Sequence, residues 1–153
     1  MRKTISLLLF MVLAAQALWA GIGTHDAMYV GGTVTALKEK TEGKTALGEQ
    51  TFVFEHKKEK WEVPYARINS LEYGQKAGRR LGLAIAINPF FLFSHKRKHF
   101  LTIGFLDDAN KQQAAVFELG KSVIRPTLRG LEAKTGKKVD FEDDQARKAG
   151  TGE

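Results

Sequence analysis

The chain has 153 residues, 24 Lys and Arg against 17 Asp and Glu, a formal charge of +7, and no cysteine. That length supports one domain with a core of its own. The missing cysteine excludes disulfides and thiolate metal sites, and the basic excess points to anionic partners.

Met1-Arg2-Lys3, the uncharged apolar run Ile5 to Ala15, and the small-residue pattern Ala15-Gln16-Ala17 make the three parts of an export signal. Residues 1–20 are expected to form a signal peptide cut after Ala17 or Ala20, with an uncleaved anchor as the alternative. Residues 21–27 then read as a flexible lead into a domain over 28–141. Without Arg2 and Lys3 the charge is +5. Export implies a periplasmic or extracellular location and argues against nucleic acid, and no base-stacking aromatic array stands among the lysines.

From Met28 the pattern has period two. Val30, Val34 and Ala36 fall on one face of a strand over Tyr29–Leu37, with Gly31-Gly32 marking a bulge or close backbone approach. Thr41-Glu-Gly-Lys44 reads as a turn and Thr45 to Leu47 as a weak strand. Thr51–His56 and Trp61–Tyr65 alternate about a charged tip, His56-Lys-Lys-Glu-Lys60. Pro64 donates no ladder hydrogen bond, which places the second strand at an edge or its end there. The three-residue spacing of Ile68 and Leu71 suggests a bulge or helical turn before Glu72-Tyr73-Gly74. His99–Leu106, the turn Asp107-Asp-Ala-Asn-Lys111 and Gln112–Leu119 form a hairpin.

The period then changes. Ile124, Leu128, Leu131 and Thr135 lie on one stripe of a helix, with Gly136 suited to its C-terminal cap. Pro126 would kink this helix or delay its start. Val139 and Phe141 allow a brief pairing, and residues 142–153 read as a disordered polar tail. Seven strand-like runs and one terminal helix make a mainly β (α+β) domain. Short consecutive antiparallel strands tend to close on themselves, and a terminal helix can cap the opening.

Trp61-Glu-Val-Pro-Tyr65, Leu71-Glu-Tyr-Gly-Gln75, Lys98-His-Phe-Leu-Thr-Ile103, Lys111–Gly120 and Leu131–Gly136, taken in order, resemble secreted bacterial proteins of pleckstrin-homology-like or GRAM-like architecture. The resemblance covers roughly residues 28–142. It implies a seven-stranded, strongly bent barrel capped by the C-terminal helix, in a family whose members bind lipids, peptides or proteins by differing surfaces. Phosphoinositide-binding members carry a basic cluster in the first hairpin. The corresponding lysines, in Lys38–Lys44, are diluted by Glu39 and Glu42, so that recognition is not carried over.

What stands out is an insertion between the fifth and sixth strands. Leu81–Phe93 is uncharged and apolar, with Lys76, Arg79 and Arg80 before it and Lys96, Arg97 and Lys98 after it. Such a segment must be buried in the fold, in a partner or in lipid. As a helix it would span only ~20 Å of a ~30 Å hydrocarbon core, and Pro89 interrupts it. The expected contact set for an anionic membrane surface is therefore Arg79, Arg80, Leu81, Leu83, Ile85, Ile87, Phe90, Phe91, Phe93, Lys96, Arg97 and Lys98. The alternatives are packing across the barrel as extra core, and a surface for a protein partner or a second copy of the chain.

No catalytic or metal site is expected, and no cofactor. His95 and His99 are separated by three cations, Asp107 and Asp108 suit a turn, and Gly74, Gly78 and Gly82 precede no phosphate loop. The reading is a non-catalytic exported binding or scaffold domain. A lipocalin-like carrier of a small apolar ligand is the remaining class, and it would need a roomy interior.

Overall fold

The computed structural model describes residues 22–75 and 98–152. Eight strands form one sheet: β1 (Ile22–Gly32), β2 (Thr41–Leu47), β3 (Thr51–His56), β4 (Glu59–Pro64), β5 (Ile68–Gly74), β6 (Phe100–Leu106), β7 (Gln112–Leu119) and β8 (Val139–Phe141). A 3-10 turn, Tyr65–Arg67, links β4 to β5. Helix α1 (Ile124–Thr135) precedes β8, and helix α2 (Asp144–Thr151) follows it. The strand order is β4-β3-β2-β1-β7-β6-β5-β8. Each of the first seven strands is antiparallel to its neighbours, with β1 joining β7, whereas β8 adds to β5 in parallel.

This sheet is rolled. In a flat sheet β4 and β6 would lie ~24 Å apart, five strand spacings of ~4.8 Å. Instead Trp61 on β4 meets Phe105 on β6 edge to face, ring centroids 5.7 Å apart. Phe117 on β7 stands 5.5 Å from Phe52 and 5.1 Å from Phe54, both on β3. The rolled inner face thus closes over one aromatic core, joined by Tyr29, Leu71, Leu101, Ile103 and the helix residues Ile124, Leu128 and Leu131. Burying such side chains supplies most of the drive for folding.

Several elements differ from the expectation. The first strand occupies Ile22–Gly32 and not Tyr29–Leu37, so residues 22–27, read as flexible, are already ordered in the ladder with β2. The pairing with β7 shifts between Tyr29 and Gly31, and Gly32 has φ of 140° with its missing Cβ directed at the Ala114 carbonyl. There the glycine pair bulges as expected, but it also ends the strand. Thr41–Lys44 is not a turn. It opens β2, where Gly43 leaves room for the Phe54 ring.

Pro126 does not delay α1, which starts at Ile124. It is the third residue of the helix, inside the first turn, whose N–H groups have no intrahelical acceptor. Gly136 takes the left-handed cap, φ 67°, and donates its N–H to the Glu132 carbonyl. The tail over 142–153 is helical for most of its length, because Asp143 caps α2 by accepting from Ala146 N at 2.7 Å and Ala146 and Gly150 are buried. Beneath Gly150 lie Phe141 and Leu128. β8 makes eight strands among the described residues.

Candidate functional site

The ladder registers divide the connections between two ends of the rolled sheet. The β1–β2 loop, the β3–β4 tip and the β6–β7 turn gather at one end. At the other end are Ile22, the β2–β3 connection and the strand ends Gly74 and Phe100 that flank the β5–β6 connection.

At the first end lies a cleft of ≈ 810 Å³ between the β1–β2 loop and the β3–β4 hairpin. Its floor is apolar. Phe54 is fully buried, and half-buried Trp61 is packed against Phe52, Phe105 and Phe117 at 6.5, 5.7 and 6.0 Å. Ala36 and Leu37 form the loop wall, and Lys38, Lys57, Lys58 and Lys60 stand around the mouth with Glu59.

These cations differ in commitment. Lys60 Nζ lies 3.4 Å from Glu55 and 3.8 Å from Glu62, in solvent, where such pairs hold little energy. Lys38, Lys57 and Lys58 make no ion pair among the described residues, and all three are exposed. The two-residue tip places Lys57 at φ 53°, a left-handed conformation usually left to Asn or Gly. Behind the tip, His56 Nδ1 lies 2.5 Å from the Glu42 carbonyl. A carbonyl only accepts, so Nδ1 carries the proton and the hairpin is tied to the start of β2.

The insertion residues Arg79, Arg80, Leu81, Leu83, Ile85, Ile87, Phe90, Phe91, Phe93, Lys96 and Arg97 lie outside the described residues, as do His95 and the expected signal peptide, residues 1–20. Lys98 is described. Its Nζ sits 2.9 Å from the Glu118 carboxylate, each side chain only about a fifth exposed, 21% and 24%. Lys98 therefore fastens the root of the insertion to β7. His99 is likewise engaged, 2.6 Å from the Tyr73 hydroxyl through Nδ1 and stacked on that ring. Burial first, and Lys121 second, hold its pKa below the usual 6.5 against the opposing pull of Glu118. His99 Nδ1 and the Tyr73 hydroxyl share this hydrogen bond in the direction the imidazole tautomer sets, and Tyr73, like Tyr29 and Tyr65, is pushed up to about 12 by burial.

Asp107 serves its turn. Oδ1 accepts from Ala109 N and Lys111 N at 2.9 Å each, and Oδ2 from Gln113 at 2.8 Å. These bonds, that to Lys111 N foremost, hold its carboxyl below the usual range. Asp108 contacts Arg67. Among the described residues no group of three metal-ligating side chains converges, and no helix is long and apolar enough to cross a membrane.

The cleft was hidden in the sequence. Lys38 and Lys57–Lys60 are separated by β2 and β3, and only the meander folds them to one mouth. The one available signal was the density of lysines flanking Trp61, which alternation alone assigns to a solvated hairpin tip. No family model matches the chain, and no curated protein matches it.

Proposed function

We propose that the chain is an exported, non-catalytic binding domain of pleckstrin-homology-like architecture whose cleft docks on an anionic lipid surface. The architecture is supported by the seven-strand meander, opened only between β4 and β5 and followed by a C-terminal helix. The observation that carries the binding reading is the convergence of lysines from two connections around the floor of Trp61 and Phe54. An indole at the floor suits the boundary between headgroup and acyl chain, and ammonium groups around it suit phosphate. Each lysine near a negatively charged membrane contributes about 1 kcal/mol, falling with salt.

Sedimentation with vesicles of phosphatidylglycerol and phosphatidylcholine tests this. The protein pellets with the anionic vesicles, and Lys57→Gln with Lys58→Gln weakens binding about thirtyfold, two lysines at about 1 kcal/mol each. Phe90→Ser, Phe91→Ser and Phe93→Ser together leave binding intact. The reverse pattern would transfer docking to the insertion, whose flanking strand ends Gly74 and Phe100 lie at the other end of the ladder. A stable oligomer indifferent to either vesicle would favour a partner-binding module instead.

A further inference from the structure

The outer face of β1, β7 and β6 is buried, although neither described helix is among the elements packed on these strands. Val30 and Val116 are 0% exposed, Phe100 2% and Thr102 3%. Val116, Phe100 and Thr102 alternate with the core residues Phe117, Leu101 and Ile103, so they point away from the interior. Val30, at the bulge, joins them and not the core. A sheet face open to water does not seal a valine completely, and a second layer is required. Among the described residues, Met28 is the partly buried hydrophobic side chain that packs against Val30, Phe100 and Val116. The helices are elsewhere: α1 leans on β2 and the 3-10 turn, α2 on β5 and β8.

We propose that this face is the docking site for the chain's own apolar segment Leu81–Phe93, lying over β6, β7 and β1. Both ends of its connection reach the rim of the patch, since Gly74 and Phe100 are ladder partners. The returning leg is already fixed there: Lys98 pairs with Glu118, the residue opposite both Phe100 and Met28, and the His99 carbonyl accepts from Leu119 N at 2.8 Å. Size agrees. Eight residues, if wound as a helix, would reach ~12 Å, and three strands span ~10 Å. The segment is also charge-free, as a cover for Val30, Val116 and Phe100 must be. The leader is the weaker occupant, tethered only at Ile22 and expected to leave on export. Vesicle binding by the cleft plays no part in this inference.

Because the chain lacks cysteine, Val116→Cys supplies a single thiol in the full-length protein. Maleimide labelling is expected to be slow, and to accelerate at least about a hundredfold when Leu83, Ile85, Ile87 and Phe90 become Ser while Trp61 fluorescence stays native. Fast labelling in the unaltered background overturns the proposal. So does protection that survives the serine substitutions, that vanishes only on removal of residues 1–20, or that depends on protein concentration, the mark of a second copy. Should the serine variant unfold, disulfide formation decides the matter. Val116→Cys combined in turn with Ile85→Cys, Ile87→Cys or Phe90→Cys gives at least one rapid intramolecular bridge. If none forms faster than with Ala109→Cys, on the distant β6–β7 turn, the proposal fails.

Discussion

Phe117→Ala asks whether the rolled sheet is filled or hollow. Phe117 is fully buried and has four aromatic neighbours, Phe54 at 5.1 Å, Phe52 at 5.5 Å, Tyr29 at 5.7 Å and Trp61 at 6.0 Å. Removing a buried phenylalanine ring costs about 3–5 kcal/mol, the spread depending on how far the site collapses. Those neighbours come from β1, β3 and β4, whose backbones are held by ladder bonds, so little collapse is open to them and the upper half applies. We expect a loss of about 4–5 kcal/mol, a large share of the roughly 5–15 kcal/mol that stabilises a domain. Urea unfolding followed by Trp61 fluorescence measures it, and Phe117→Leu, which preserves much of the volume, should cost less than about 1.5 kcal/mol. A loss below about 1.5 kcal/mol for Phe117→Ala would mean slack around the ring. The core would then be roomy enough to revive the lipocalin-like carrier, and the cleft would be the mouth of a cavity.

Three further outcomes follow from local geometry. Asp143→Ala removes the N-cap of α2 and should cost about 1 kcal/mol, read as faster amide exchange over Asp144–Thr151, while unchanged exchange would mean docking alone orders the helix. Gly32→Ala forces a side chain onto the Ala114 carbonyl at φ 140° and should cost about 1–3 kcal/mol in equilibrium unfolding; a neutral result would show that the bulge can migrate. Acid should weaken the fold through His99. Its folded pKa is below 6.5, so the unfolded chain binds the extra proton; the contribution is complete above pH 6.5 and is lost as pH falls through the folded value. His99→Gln should flatten that part of the stability profile, and an unaltered slope would clear His99 of the effect.

What the sequence revealed was local. The β6–β7 hairpin was legible because Asp107 bonds its own turn, and α1 because Ile124, Leu128 and Leu131 repeat at helical spacing before a glycine. What it concealed depends on partners distant in the chain. Ile22–Ala27 lacks a clean alternation, and its place in β1 rests on the ladder with β2 beyond the end of β7. Thr41–Lys44 has turn-like composition, yet its partners Tyr29 to Asp26 hold it extended. β8 is three residues pairing with β5 across β6, β7 and α1, and polar α2 exists through Asp143 and the contact of Gly150 with Phe141. The cleft belongs to the same class, since its two lysine groups meet only through topology.

Strand polarity also links the expected leader, residues 1–20, to the cleft. β1 carries the chain from Ile22, at one end, to Gly32, beside the cleft, over at most ~36 Å for 11 residues. Only Gly21 separates Ala20 from that strand. A retained leader would therefore hold the far end of the domain against the bilayer and the lysines well above it. Even if bending halves the distance, it exceeds the ~8 Å over which exposed charges act at physiological salt. If residues 1–20 act as a leader and the cleft docks on lipid as proposed, docking requires a chain freed from that leader. Lys57→Gln with Lys58→Gln should weaken membrane binding of the processed protein and leave retention of the unprocessed form unchanged. An equal loss in both forms would show that the cleft reaches the bilayer while the leader remains attached, and the orientation derived from the strand ladder would be wrong.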